Sequence, residues 1–146
     1  MRRRVRLKIP PAYFKMIEFE LYNYDNTKEE IAALKDEIIG SPPLPAAEQD
    51  NVQRTTVSDP TFSKVATMTT NVTLFYMERT IKAIDRALMR LSESHNEIFD
   101  LKYRQGKNWK QVISETYISE RHYFRQRREL IEAVAMQMGL YKGLNI

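Results

Sequence analysis

Apolar residues recur along this chain every three to four positions, and runs alternating apolar and polar at every second position are almost missing. That period belongs to the α-helix, so an all-α fold is expected. A first helix is predicted over about 12–24, with Tyr13, Ile17, Leu21 and Tyr24 on one stripe. A second follows at once: Thr27 and Glu30 make a Thr-x-x-Glu capping box, and Ile31, Leu34 and Ile38 give an apolar face up to Gly40. The two read as an N-terminal helical hairpin. Its aromatic positions (Tyr13, Phe14, Phe19, Tyr22, Tyr24) suggest an interface. Residues 41–57 break the pattern with Pro42, Pro43, Pro45 and the polar run Glu48-Gln49-Asp50-Asn51, and are expected to be a linker.

Ser58-Asp59-Pro60 supplies a capping acceptor followed by a proline that suits the first helical position. The helical pattern then runs to about Leu91, roughly 48 Å if unbroken. Two apolar stripes lie on nearly opposite sides of it. Val65, Met68, Val72 and Phe75 form one; Leu74, Met77, Ile81, Ile84, Leu88 and Leu91 form the other. The first half (58–76) is expected to pack on one body and the second on another, unless the helix breaks near Thr69-Thr70-Asn71-Val72-Thr73, where β-branched residues weaken helix propensity. From residue 77 the pattern belongs with the C-terminal unit, 77–146. There Ser94 and Glu97 suggest another capping box, and Gly106 a stop. Asn108 can cap a short helix holding Trp109, Val112 and Ile113. Thr116-Tyr117-Ile118 makes a tight connection, and Ser119 caps a last helix over about 120–138 that ends at Gly139. Tyr123, Leu130, Val134 and Met138 are its expected core face. Trp109 is expected to cover the local core, and His95 to lie exposed at a helix start.

Composition narrows the function. Zero cysteines among 146 residues exclude a thiol nucleophile and cysteine-ligated metals, and two distant histidines leave little for a metal site. No phosphate loop or nucleophile constellation is visible, so neither catalysis nor a cofactor is expected. No stretch approaches the roughly 18 apolar residues of a membrane span, and the basic start (Arg2, Arg3, Arg4, Arg6, Lys8) lacks an apolar h-region. A protein of the cytoplasm, not of the membrane, is expected. The formal charge is +4 and the mean hydropathy −0.53. Residues 94–146 carry nine Lys/Arg against six Asp/Glu, whereas residues 1–57 carry nine of each.

The local concentration of charge matters more than the total. Between 119 and 128 four arginines face one glutamate. A short capped helix, a tight turn and a serine-capped helix opening with basic and amide side chains is what a helix-turn-helix requires. Arginine's planar fork suits guanine O6/N7, and glutamine can pair likewise with adenine. Ser119, Arg121, His122, Arg125, Gln126 and Arg128 are therefore candidate DNA-reading residues. Asn108 and Lys110 would meet the backbone where the first helix begins. A solvated face, with the arginines paired to Glu120, Glu129 and Glu132, would use the same residues. The tail 2–8 is either a DNA-contacting arm or simply a solvated terminus.

Glu97-Ile98-Phe99-Asp100-Leu101-Lys102-Tyr103, Trp109-Lys110-Gln111-Val112-Ile113 and Ile118-Ser119 with its basic helix resemble the promoter-reading C-terminal domain of sigma factors. Tyr24-x-x-Thr27-Lys28-Glu29-Glu30-Ile31, the Pro-rich linker, Ser58-Asp59-Pro60-Thr61 and Glu78-Arg79-x-Ile81-Lys82-Ala83-Ile84 resemble the RinA-type phage transcriptional activators, whose layout is related to that of ArpU-type late regulators. The resemblance covers about 15–139. It implies an all-α chain with an N-terminal helical hairpin, a long connecting helix and a C-terminal sigma-factor-like helix-turn-helix. It also implies a phage or prophage DNA-binding activator of late packaging and morphogenesis genes. Its partners would be double-stranded promoter DNA, host RNA polymerase, and a second copy (homodimer or higher oligomer) through the N-terminal helices. Ile113 and Thr116 depart from the alanine and leucine usual at those sigma positions, and Tyr117 from the glycine or other residue tolerant of the left-handed conformation often found at its position, which predicts a wider helix crossing or a slightly recast turn. A small terminase-like packaging subunit and a non-DNA-binding helical adaptor are the alternatives.

Overall fold

A computed structural model of the chain describes residues 9–40 and 60–140, with side chains from 69 onward in the second stretch. All regular structure in the described residues is helical: α1 (Pro11–Tyr22), α2 (Tyr24–Gly40), α3 (Pro60–Arg90), α4 (Glu93–Ile98) running into a π-helical turn (Phe99–Arg104), α5 (Trp109–Thr116) and α6 (Glu120–Gln137). The basic tail, the Pro-rich linker and the Ser58-Asp59 cap lie outside the described residues.

Proline at the first turn starts α1, where its missing N–H costs nothing. A single residue, Asn23, joins the two expected N-terminal helices: its N–H closes α1 on Phe19 O (3.0 Å), and its carbonyl accepts the first bond of α2 from Thr27 N–H (2.7 Å). Thr27 is thus buried inside α2 and does not cap it. α1 lies against α6 and the π-helical turn, while α2 runs along α3.

α3 is continuous over 31 residues, about 46 Å, with no break at 69–73. Of its two stripes, Ile81 and Ile84 are buried and Leu88 and Leu91 pack on the core. Val72 and Phe75, on the opposite stripe, are exposed. Val65 and Met68 are outside the described side chains.

The main core joins Ile17 and Leu21 of α1, Tyr24 of α2, Ile81, Ile84 and Ala87 of α3, Phe99 and Tyr103, and Leu130, Ile131, Val134 and Ala135 of α6. The N-terminal helices and the C-terminal unit therefore share one interior. Of the expected aromatic interface, Tyr24 and Phe14 belong to this core and Tyr13, Phe19 and Tyr22 remain exposed. A second cluster (Ile98, Leu101, Val112, Tyr123, with Trp109, Ile113 and Ile118 at its edge) lies under α5 and the start of α6. The turn at 98–103 feeds both clusters: Phe99 and Tyr103 face the first, Ile98 and Leu101 the second.

Polar links lock α1 onto the rest. Glu18 Oε1 accepts from the Tyr103 hydroxyl (2.8 Å) and from Arg127 Nε (2.8 Å), with Arg127 Nη2 at 2.6 Å. The Arg127 guanidinium also lies over the Phe14 ring, 5.1 Å from its centroid. Arg104 donates to Asp25 (3.1 Å) and Lys102 to the Tyr22 hydroxyl (3.0 Å).

Candidate nucleic-acid interface

Asn108 opens α5 with φ −76° and ψ 167°, outside the helical region, which frees its carboxamide to cap. Its side chain accepts from Gln111 N–H (2.9 Å), and Gln111 Oε1 accepts in return from Asn108 N–H (3.0 Å). This reciprocal box fixes the start of the first helix of the motif. The connection then passes through Tyr117, the single non-glycine described residue with positive φ (55°, ψ 28°), whose N–H bonds Ile113 O at 2.9 Å. The left-handed conformation expected of a glycine-like position is thus taken by a tyrosine, and its side chain is 93% exposed. Ser119 caps α6 by accepting from His122 N–H at 3.1 Å. Trp109 lies at the edge of the second cluster, its ring 5.9 Å from Phe124, with Lys110 Nζ 5.5 Å from the Trp109 ring centre.

The exposed face of α6 carries Arg121, Arg125 and Arg128. Arg125 Nη2 bonds His122 Nδ1 at 2.8 Å, and its Nε lies 3.7 Å from Glu129; Arg128 reaches Glu132 only at 4.0 Å. Exposed i,i+4 pairs of this kind contribute at most a few tenths of a kcal/mol, about 0.3–0.5, so a stronger anion can displace them. Arg121 has no ion pair among the described residues. Asn108, Lys110 and Ser119 are exposed and His122 is half-buried beside them.

Gln126 is the correction. Its side chain points inward, 6% exposed, and Oε1 accepts from the Ser94 hydroxyl at 2.7 Å. It ties α6 to α4, and its burial keeps the carboxamide from an adenine edge at the surface. The same contact shows why Ser94 is no cap: Ser92 caps α4, accepting from His95 N–H at 3.5 Å. His95 is correspondingly buried, not exposed, with Nδ1 2.6 Å from Ser92 Oγ and Nε2 2.8 Å from Glu129. Arg127, the remaining arginine of the basic run, is turned inward to Glu18. Its inward placement follows helical spacing, since it lies four residues after the buried Tyr123 and before the buried Ile131.

What remains on the surface is a capped helix, a left-handed turn and a second capped helix with three outward arginines. Such a surface can donate hydrogen bonds to an anionic, acceptor-rich partner. Among the described residues no group of three or more His, Cys, Asp or Glu could hold a metal, and no helix is long and apolar enough to cross a membrane. Over residues 17–136 the chain matches the model of the family described as "Protein of unknown function (DUF722)", and it belongs to that family. No curated protein and no solved structure matches it.

Proposed function

We propose that this DUF722 protein is a sequence-specific DNA-binding activator of phage or prophage late genes, working in the cytoplasm of a bacterial host. The observation that carries the reading is the outward row Arg121, Arg125 and Arg128 on a helix whose start is fixed by Ser119 and whose preceding turn is fixed by Tyr117. In this reading α6 lies in the major groove with Arg121 and Arg125 toward base edges. Asn108 and Lys110 hold the phosphates beside α5, and Arg128 meets the backbone further along. Catalysis and cofactors have no part in it. The exposed apolar residues Phe19, Tyr22, Phe75 and Tyr76 suit the protein side of the task, contact with host RNA polymerase or a second copy.

The test is footprinting on fragments of the protein's own genome, followed by binding of the protected duplex to Arg121→Glu/Arg125→Glu. Each lost bidentate contact costs about 1–3 kcal/mol. The double variant is therefore expected to bind about a hundredfold more weakly or worse, with an unchanged helical circular-dichroism spectrum. Undiminished binding at physiological salt refutes the assignment of α6 as the reading helix.

A further inference from the structure

The charges of α3 are sorted by face. Glu78 and Asp85 point to α2, where Lys35 Nζ lies 2.7 Å from Glu78 and the Tyr24 hydroxyl donates to Asp85 at 2.6 Å. Arg79, Lys82, Arg86 and Arg90 follow at i, i+3, i+7 and i+11, and all four are exposed. None of these four makes an ion pair among the described residues. Lys82 acts only at a distance, helping Lys35 hold the Glu78 carboxyl below its ordinary range. Arg79, Lys82 and Arg86 line a surface hollow of about 330 Å³ with Phe75, Ala83 and Gln137. Gln137 is the last residue of α6, so the hollow opens beside the C-terminal end of that helix, about 18–24 Å along its axis from Arg125 and Arg121.

We propose that this face of α3 is a second DNA contact, which takes the sugar–phosphate backbone of duplex flanking the bases read by α6. It rests on the reading of α6 as the DNA-binding helix and extends the contacted length. Four cations without an ion pair are what phosphate neutralisation needs, and three of them are arginines, whose planar forks fit phosphate oxygens in pairs. From residue 79 to 90 the stripe is about 16 Å long at 1.5 Å per residue. Phosphates of one strand advance about 3.4 Å each along the duplex axis, so the stripe matches four to five of them. Because α3 packs on α6 through Ile81, Ile84 and Ala87, the two surfaces are held in one rigid relation.

The test uses a random-sequence 40-base-pair duplex and fluorescence anisotropy from 50 to 300 mM NaCl, with wild type, Arg79→Gln/Lys82→Gln/Arg86→Gln, Arg79→Lys/Arg86→Lys and Arg121→Glu/Arg125→Glu. Each phosphate contact adds about 0.9 to the slope of log K against log salt. Loss of three contacts should flatten the slope of the glutamine triple by about 2.7, while the lysine pair keeps the wild-type slope. An unchanged slope in the triple, with binding lost in the α6 variant, overturns the α3 contact, leaves the α6 reading intact and gives the stripe to an acidic protein surface. A lysine pair that falls as far as the glutamine triple also overturns it, since charge is then not what the face supplies. If wild type binds no duplex at 50 mM, the α6 reading and this extension fall together.

Discussion

Replacing Glu18 with alanine probes whether α1 is part of the body that holds α6. The Glu18 carboxylate receives Tyr103 and both Arg127 nitrogens within 2.6–2.8 Å, and the Glu18 and Arg127 side chains are 18% and 24% exposed. Burial alone would push the Arg127 guanidinium down; its bonds to Glu18 more than offset that, and Arg127 ends above its ordinary value. Without the carboxylate the guanidinium keeps its burial and loses its counter-charge. Breaking a fully buried pair this way costs about 3–5 kcal/mol, and breaking an exposed one about 0–1 kcal/mol. With roughly a fifth of each side chain in solvent, about 2–3 kcal/mol is expected. For a chain of this size that lowers Tm by about 5–10 °C. Urea and thermal denaturation followed by circular dichroism would read it. A double-mutant cycle with Arg127→Met would report the coupling, expected at about 1–2 kcal/mol. Glu18→Gln keeps an acceptor for Tyr103 while removing the charge, so it should fall between wild type and alanine. A cost below about 0.5 kcal/mol together with no coupling to Arg127 refutes the docking of α1 on α6.

Tyr117→Gly should stabilise the protein by about 0.5–1 kcal/mol. A left-handed non-glycine residue costs about 1–2 kcal/mol, glycine's extra backbone entropy returns part of it, and the 93% exposed ring has little packing to lose; a lower Tm in the variant would count against a strained turn. Alkaline pH should destabilise the fold. Burial, then the Asp85 hydrogen bond, pushes the Tyr24 hydroxyl up to about 12, and burial likewise raises Tyr103 and Tyr123. An unfolded tyrosine ionises near pH 10. Between about pH 10 and 12 the native state therefore holds the Tyr24 proton that the unfolded state has released. The Tyr24 share of stability is intact below pH 10 and is lost as pH rises through 12. Denaturation midpoints from pH 9 to 12 should fall less steeply in Tyr24→Phe, and identical slopes would refute that share.

Local chemistry made the helical punctuation of the C-terminal region legible. Asn108 and Ser119 cap, Gly106 and Gly139 stop with φ of 71° and 72°, and Tyr123, Leu130 and Val134 form the buried face. Where local rules offered two answers, tertiary contacts chose between them. Ser94, the expected cap, is drawn to Gln126 while His95 packs against Glu129, and Ser92 caps the helix instead. Thr27 fits a capping box by spacing, yet Tyr24 enters the main core and the helix begins three residues earlier. The inward place of Gln126 is legible in the sequence, because it lies three residues after Tyr123 and four before Leu130 on the buried stripe, a spacing that outweighs its amide chemistry. The basic row on α3 was hidden by counting charge along the chain. Residues 58–93 hold five cations and four anions, and only the helical face separates them.

That separation bears on how the molecule does its work in the proposed reading. A helix-turn-helix attached by a loose linker would let its other surfaces sample many positions relative to DNA. Here α1, α2, α3 and α6 share one interior, and Glu18, Arg127 and Tyr103 cross-link α1, α6 and the turn between the two clusters. The faces left over are consequently fixed relative to Arg121 and Arg125: the basic row of α3, and the apolar residues Phe19, Phe75 and Tyr76. An activator needs such fixed geometry, since a polymerase engages the promoter at a set distance from the bound site. The half-buried position of Arg127 follows the same logic. In a run of four arginines, one is spent on holding the helix and three remain for what the helix touches.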